Sequence, residues 1–144
     1  VMVSYINRRV VGTARPLYSP DTASFMQPRA AALVAAGGFV GAVSRHAVAL
    51  ALPAAFPWGT LAVNVVGAFL LGLVVYETLN RGRLSAAART FVATGFLSSF
   101  TTYSTFASET VGLTPTLAAA NVVANYALGG AAVLFARGVV RWHS

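Results

Sequence analysis

The chain has 144 residues, of which 57% are hydrophobic and 9% charged; soluble domains carry roughly 25% charged residues, so lipid is the expected main solvent. The absence of Cys excludes disulfide frameworks and thiolate metal sites. All ten basic residues are Arg, set against Asp21, Glu77 and Glu109, and the net charge of +7 lacks the basic, aromatic-interleaved face that a nucleic-acid surface needs.

Residues 1–29 mix Arg, Ser, Pro and other polar residues, with no apolar stretch long enough for a signal sequence. Three readings stand: a disordered cytoplasmic tail, a twin-arginine signal at Arg8-Arg9, or sequence upstream of a true start at Met26. Four apolar stretches follow, at about Ala30–Leu52, Thr60–Tyr76, Ala88–Val111 and Thr116–Ala136. Each is near the roughly 17–25 residues that cross a bilayer. The expected fold is therefore an all-α integral membrane protein of four transmembrane helices in one domain, residues 30–138, with a cytoplasmic tail over 139–144.

The first stretch holds Gly37 and Gly41, a small-xxx-small face suited to close helix contact. Arg45 follows one turn later, where it either snorkels to the interface or stands as a fixed positive charge drawing an anion into a vestibule. Pro53 and the Phe56-Pro57-Trp58-Gly59 turn lead into the second stretch, with Trp58 placed as in an aromatic belt. There Thr60, Asn64 and Gly67 share one face at i, i+4 and i+7. Taken alone, Asn64 reads first as interhelical glue and second as a donor to a ligand.

The third stretch is the anomaly. Gly95 is followed by Ser98, Ser99, Thr101, Thr102, Ser104 and Thr105, then by Glu109. So dense a hydroxyl run after a Gly predicts local unwinding, which survives at membrane depth only inside protein or along a polar cavity. Unwound backbone offers carbonyls to a cation and N–H groups to an anion. Tyr103 and Phe106, one turn apart, present ring edges with partial positive charge. On the fourth stretch Asn121, Asn125 and Gly129 line one face, and the whole set is rich in donors and poor in carboxylates, as a small anion requires.

Arg placement sets orientation. Arg8, Arg9, Arg15 and Arg29 precede the first stretch, Arg81, Arg83 and Arg89 lie between the second and third, and Arg137 and Arg141 follow the fourth. The other two loops carry none, which puts both termini in the cytoplasm. His46 and His143 are isolated and no nucleophile–base pair is present, so the chain is not expected to be an enzyme.

The segments Gly37–Arg45, Gly59–Gly72 and Gly95–Phe106 with Glu109 resemble, in order and spacing, the Fluc (CrcB) fluoride channel family, over about Ala30 to Gly138. The resemblance implies a passive cell-membrane channel that expels fluoride from the cytoplasm, built as an antiparallel dimer with two pores. It implies that Asn64 donates to fluoride, that Tyr103 and Phe106 supply aromatic edges, and that Thr60, Ser104 and Glu109 belong to the polar path, with Arg45 in the cytoplasmic vestibule. It further implies a structural sodium ion at the break, held by the backbone carbonyls of Ser98 and Thr101 from both chains. The family usually has Gly-Gly at Ser98-Ser99 and Phe at Tyr103, and commonly Tyr and Ser at Asn121 and Asn125. Beyond the resemblance, the strong Arg bias predicts a heterodimer with an oppositely oriented paralogue rather than a homodimer. A small four-helix multidrug-type transporter and a non-conducting subunit of a heteromeric channel remain as alternatives.

Overall fold

A computed structural model describes residues 28–142. The readings made for the N-terminal segment as far as residue 27, and for His143, lie outside the described residues. Every element described is helical: α1 (Pro28–Ala51), α2 (Trp58–Asn80), α3 (Ala86–Arg89), a π-helical stretch (Thr90–Leu97), α4 (Ser98–Phe100), α5 (Tyr103–Val111) and α6 (Pro115–Trp142). Pro28 and Pro115 open their helices, where the missing N–H would have no partner anyway.

Three of these, α1, α2 and α6, are long and apolar enough to cross a membrane. No single helix of that length forms over the third apolar stretch. Its first part changes winding from α to π and back, and it then stops at Thr101 and Thr102, whose backbones are extended (φ −80°, ψ 157° and φ −151°, ψ 124°). The unwinding is thus narrower than the hydroxyl run, because Ser98 and Ser99 stay helical. Ser98 instead turns its hydroxyl back on the preceding turn, donating to the carbonyls of Thr94 and Gly95. At the other end of the chain, the tail expected from residue 139 is helix as far as Trp142. No Pro lies between Arg137 and Trp142, Gly138 is tolerated within the helix, and the Val140 side chain is buried.

The tight turn between α2 and α3 is held by Glu77, whose carboxylate accepts from the backbone N–H groups of Arg83 (2.8 Å) and Leu84 (3.3 Å). Gly82 takes the positive φ of 60° that the turn needs. Ser85 then caps α3, accepting from the Ala88 N–H.

Two parallel helix pairs make the bundle. In one, Gly37 and Gly41 of α1 meet the backbone of the π-helical stretch so closely that a Cβ on Gly41 would lie against the Phe96 carbonyl and 3.1 Å from the Phe100 nitrogen. The small-xxx-small face thus finds its partner within the chain. In the other pair, α2 and α6 run side by side, with Gly72 against Ala136 and Val133 and, further up, Ala68 beside Gly129. Burial elsewhere is sparse on two of the long helices: only Gly37 and Gly41 of α1 and Asn121, Ala136 and Val140 of α6 are buried within the chain. Most of the apolar surface is left for lipid or for another subunit.

Candidate functional site

The break at Thr101–Thr102 interrupts the backbone ladder, and the orphaned groups find side chains instead. Asn64 of α2 reaches across and acts as a substitute peptide. Its Oδ1 accepts from the Thr102 N–H at 2.9 Å, while its Nδ2 donates to the Thr102 carbonyl at 3.1 Å. Leaving such groups buried and unpaired would cost about 1–3 kcal/mol each. Thr102 also caps α5: its Oγ1 accepts from the Thr105 N–H (3.2 Å) and donates to the Thr105 hydroxyl (3.0 Å). The Ser104 hydroxyl lies 3.4 Å from the same oxygen.

The break also takes carbonyls out of the ladder. In an unbroken helix the N–H of Thr102 would pair with the carbonyl of Ser98, and that of Thr105 with the carbonyl of Thr101. With both donors engaged elsewhere, the Ser98 and Thr101 carbonyls lose their helical partners, as those of Ser99 and Phe100 do at the same break; Ser98 and Thr101 are the pair that the resemblance implies for sodium. The donor set suits a hard monovalent cation, being neutral oxygen only. Among the described residues no group of three or more His, Cys, Asp or Glu could hold a metal. Ser at position 98 demands no unusual geometry, since its φ of −65° and ψ of −25° are ordinary helical values. The substitution for Gly is therefore compatible with the break.

A groove of about 480 Å³ opens onto this region, lined by Asn64, Gly67, Ser98, Thr101, Thr102 and Tyr103 among others. Tyr103 is 72% exposed beside it, and Phe106 is buried. Their ring centroids are 5.7 Å apart, and Phe106 also meets Tyr126 of α6 edge-on at 6.4 Å and 90°. One turn from Asn64, Thr60 is buried and, with Glu109, lines a second cavity of about 280 Å³ under the 52–57 and 112–114 loops. The Glu109 Oε2 is buried there without a hydrogen-bond partner.

Asn121 and Asn125 join the site more closely than a loose lining would. Asn125 Oδ1 accepts from Asn64 Nδ2 at 3.2 Å. Its own Nδ2 donates to the Asn121 backbone carbonyl and Oδ1, both at 3.0 Å. Asn121, with no exposed surface, donates to the Thr110 hydroxyl at 2.8 Å, which donates to the Phe106 carbonyl at 2.6 Å.

Arg45 stands apart. It is half-buried on α1, lines neither cavity, and makes no hydrogen bond or ion pair among the described residues. It lies 17 residues after Pro28, about 25 Å along the helix at roughly 1.5 Å per residue. That is toward the Arg-free loops, away from the other Arg residues described. Cytoplasmic termini and a cytoplasmic vestibule for Arg45 therefore exclude each other within one subunit.

Three participants were not singled out from the sequence. Thr102 carried a signal, a Thr directly before a helix with a second hydroxyl three residues on. Thr110 and Tyr126 carried none, because their roles come from contacts between helices rather than from any local spacing.

Comparison with known proteins agrees along most of the chain. The family model described as CrcB-like protein, Camphor Resistance (CrcB), matches residues 32–138. A protein of Natronomonas pharaonis named fluoride-specific ion channel FluC 1 is 65% identical over 119 residues, covering 83% of this chain and all of the relative. The Haloarcula marismortui protein named fluoride-specific ion channel FluC 1 is 52% identical over 121 residues, 84% of this chain and 93% of the relative. A Chlorobaculum tepidum protein named fluoride-specific ion channel FluC is 46% identical over 109 residues, 72% and 86% of the two chains.

Proposed function

The chain belongs to the CrcB-like family, and we propose on that premise that it is a subunit of a fluoride-specific ion channel, a multi-pass membrane protein through which fluoride leaves the cytoplasm passively. The observation that carries the reading is the polar break beside Asn64, where donors converge and carboxylates are few. Fluoride is small and strongly hydrated, so a path for it must offer hydrogen-bond donors in place of water. Asn64 supplies such donors at the groove, and the hydroxyls of Ser104, beside Thr102, and of Thr60, at the second cavity, extend the path. The ring edges of Tyr103 and Phe106 add partial positive charge. Glu109 completes the path at the far cavity. A multidrug-type exporter would need a membrane-embedded carboxylate trading protons for a cation, and no observation favours it.

The segment over residues 86–111 is read as a fourth, interrupted crossing. Its groove opens on the surface of the single chain, where polar backbone could not face hydrocarbon. A second, antiparallel subunit covering that groove resolves the difficulty. The carbonyls of Ser98 and Thr101 from both chains would then hold a sodium ion, which supplies a fixed positive charge at the dimer centre. The Arg placement along the sequence supports both termini being cytoplasmic. So strong a bias opposes insertion both ways and favours a heterodimer with an oppositely oriented paralogue.

The test is anion efflux from proteoliposomes. Fluoride should leave while chloride stays, and Asn64→Ala should slow fluoride by about fivefold or more, as expected for a lost interaction of roughly 1–3 kcal/mol. No fluoride-selective efflux, either alone or with an oppositely oriented relative, would sink the reading.

A further inference from the structure

The hydrogen bonds around Asn64 run in one direction, and the backbone fixes that direction. Thr102 presents an N–H and a carbonyl, so Asn64 must place Oδ1 toward the first and Nδ2 toward the second. The Asn121 backbone carbonyl accepts and cannot donate, so Asn125 must turn Nδ2 toward it. Asn125 Oδ1 is thereby left facing Asn64. Asn121 Oδ1 accepts from Asn125, so its Nδ2 faces Thr110, whose proton goes to the Phe106 carbonyl. Donors therefore point from Asn64 through Asn125, Asn121 and Thr110 to the Phe106 backbone.

One consequence bears on the anion. An amide nitrogen has two protons, and both of those on Asn64 are engaged, one by the Thr102 carbonyl and one by Asn125 Oδ1. The Thr102 carbonyl belongs to the break and is also tied through its own N–H to the same amide. Asn125 Oδ1 is a side-chain atom, and Asn125 does not line the groove from which an ion would arrive. We propose that Asn125 Oδ1 is a built-in stand-in for the anion: it holds the second Asn64 proton in the resting channel, and fluoride binds by taking its place. This rests on the reading of Asn64 as a fluoride donor. It makes Asn125 a residue that sets fluoride affinity by competition, while Asn121 and Thr110 are positioning residues that aim it.

The competition predicts opposite signs for two substitutions. Asn125→Ser is too short to reach Asn64, yet its hydroxyl can still bond back to the Asn121 carbonyl one turn earlier. The fluoride concentration giving half-maximal current across a planar bilayer should fall by about threefold or more, the effect of a hydrogen bond that no longer has to be displaced. Asn125→Asp keeps an acceptor on the Asn64 proton and makes it anionic, so the same concentration should rise. A merely structural role would move both variants the same way. Measurements use the full chain, reconstituted alone or with an oppositely oriented relative, and Asn125→Ala repeats the first arm if the Ser variant does not fold. With fluoride-selective current in the unmodified channel, an unchanged or raised half-maximal concentration in the Ser or Ala variant overturns this proposal alone. Absence of fluoride-selective current in the unmodified channel overturns both it and the reading it rests on.

Discussion

The two helix pairs of this bundle are held by different chemistry. Between α1 and the π-helical stretch the contact is backbone against backbone, made through Gly37, Gly41 and Gly95 with no side chain between. Between α2, the break and α6, close packing at Gly72 is joined by side-chain amide against backbone and amide against amide. The first kind of contact has one geometry and no exchangeable partner. The second holds side-chain hydrogen bonds, which in the proposed competition an entering ion replaces at small net cost because the bond lost to Asn125 is regained by fluoride. The third apolar stretch belongs to both, fastened on its dry side and open to exchange on its polar side. A path for an ion needs that division, since a break without a rigid half would collapse and one without a polar half could not bind.

The largest expected effect comes from breaking the dry side. In Gly41→Leu even the Cβ falls on the Phe96 carbonyl. Overpacking ordinarily costs about 1–3 kcal/mol when side chains can shift, and here the opposing atoms are main chain. A loss of roughly 3 kcal/mol or more is expected, seen as failure to recover monodisperse protein from detergent. Gly130→Ala is the contrast, because nothing lies within 4 Å of the Cβ it would add. If Gly41→Leu purified as stably as Gly130→Ala, the two sides would not differ in the way described.

A smaller effect separates the cap from the clamp on the polar side. Thr102→Val removes the hydroxyl that caps α5, worth about 0.5–2 kcal/mol. It leaves both contacts with Asn64 in place, since those use the Thr102 main chain. The thermal midpoint should drop while fluoride continues to pass and chloride does not. Chloride leakage in this variant would show that the hydroxyl, and not only the backbone, shapes the path.

What the sequence made legible follows the same division. Gly37 and Gly41 announced close packing by spacing alone, and the hydroxyl run announced a break, because both are local patterns along one helix. The partner of each was not legible. Nothing at Asn64 says that it pairs with Thr102, and nothing at Asn125 says that it points at Asn64, since both facts depend on how the helices align. The π winding of Thr90–Leu97 was likewise unannounced: its residues read as an ordinary apolar helix. The Ser-Ser pair invited the opposite error. Hydroxyls are as much at home bonding back within a helix as leaving one, and Ser98 does the former.

That point gives the smallest and most exacting prediction. If the released carbonyls of Ser98 and Thr101 result from where the Thr102 and Thr105 N–H groups go, the side chain at position 98 is incidental to them. Ser98→Gly should then change stability by less than about 1 kcal/mol, the ordinary difference in backbone freedom. Fluoride current and its dependence on sodium should stay within about twofold, well under the tenfold that corresponds to 1.4 kcal/mol. The Ser98 φ of −65° is open to either residue, so no strain is there to be relieved. Sodium dependence that sharpened tenfold in Ser98→Gly would mean the serine holds the carbonyl away from the cation. The break would then be controlled from its own helix rather than by Asn64 across from it.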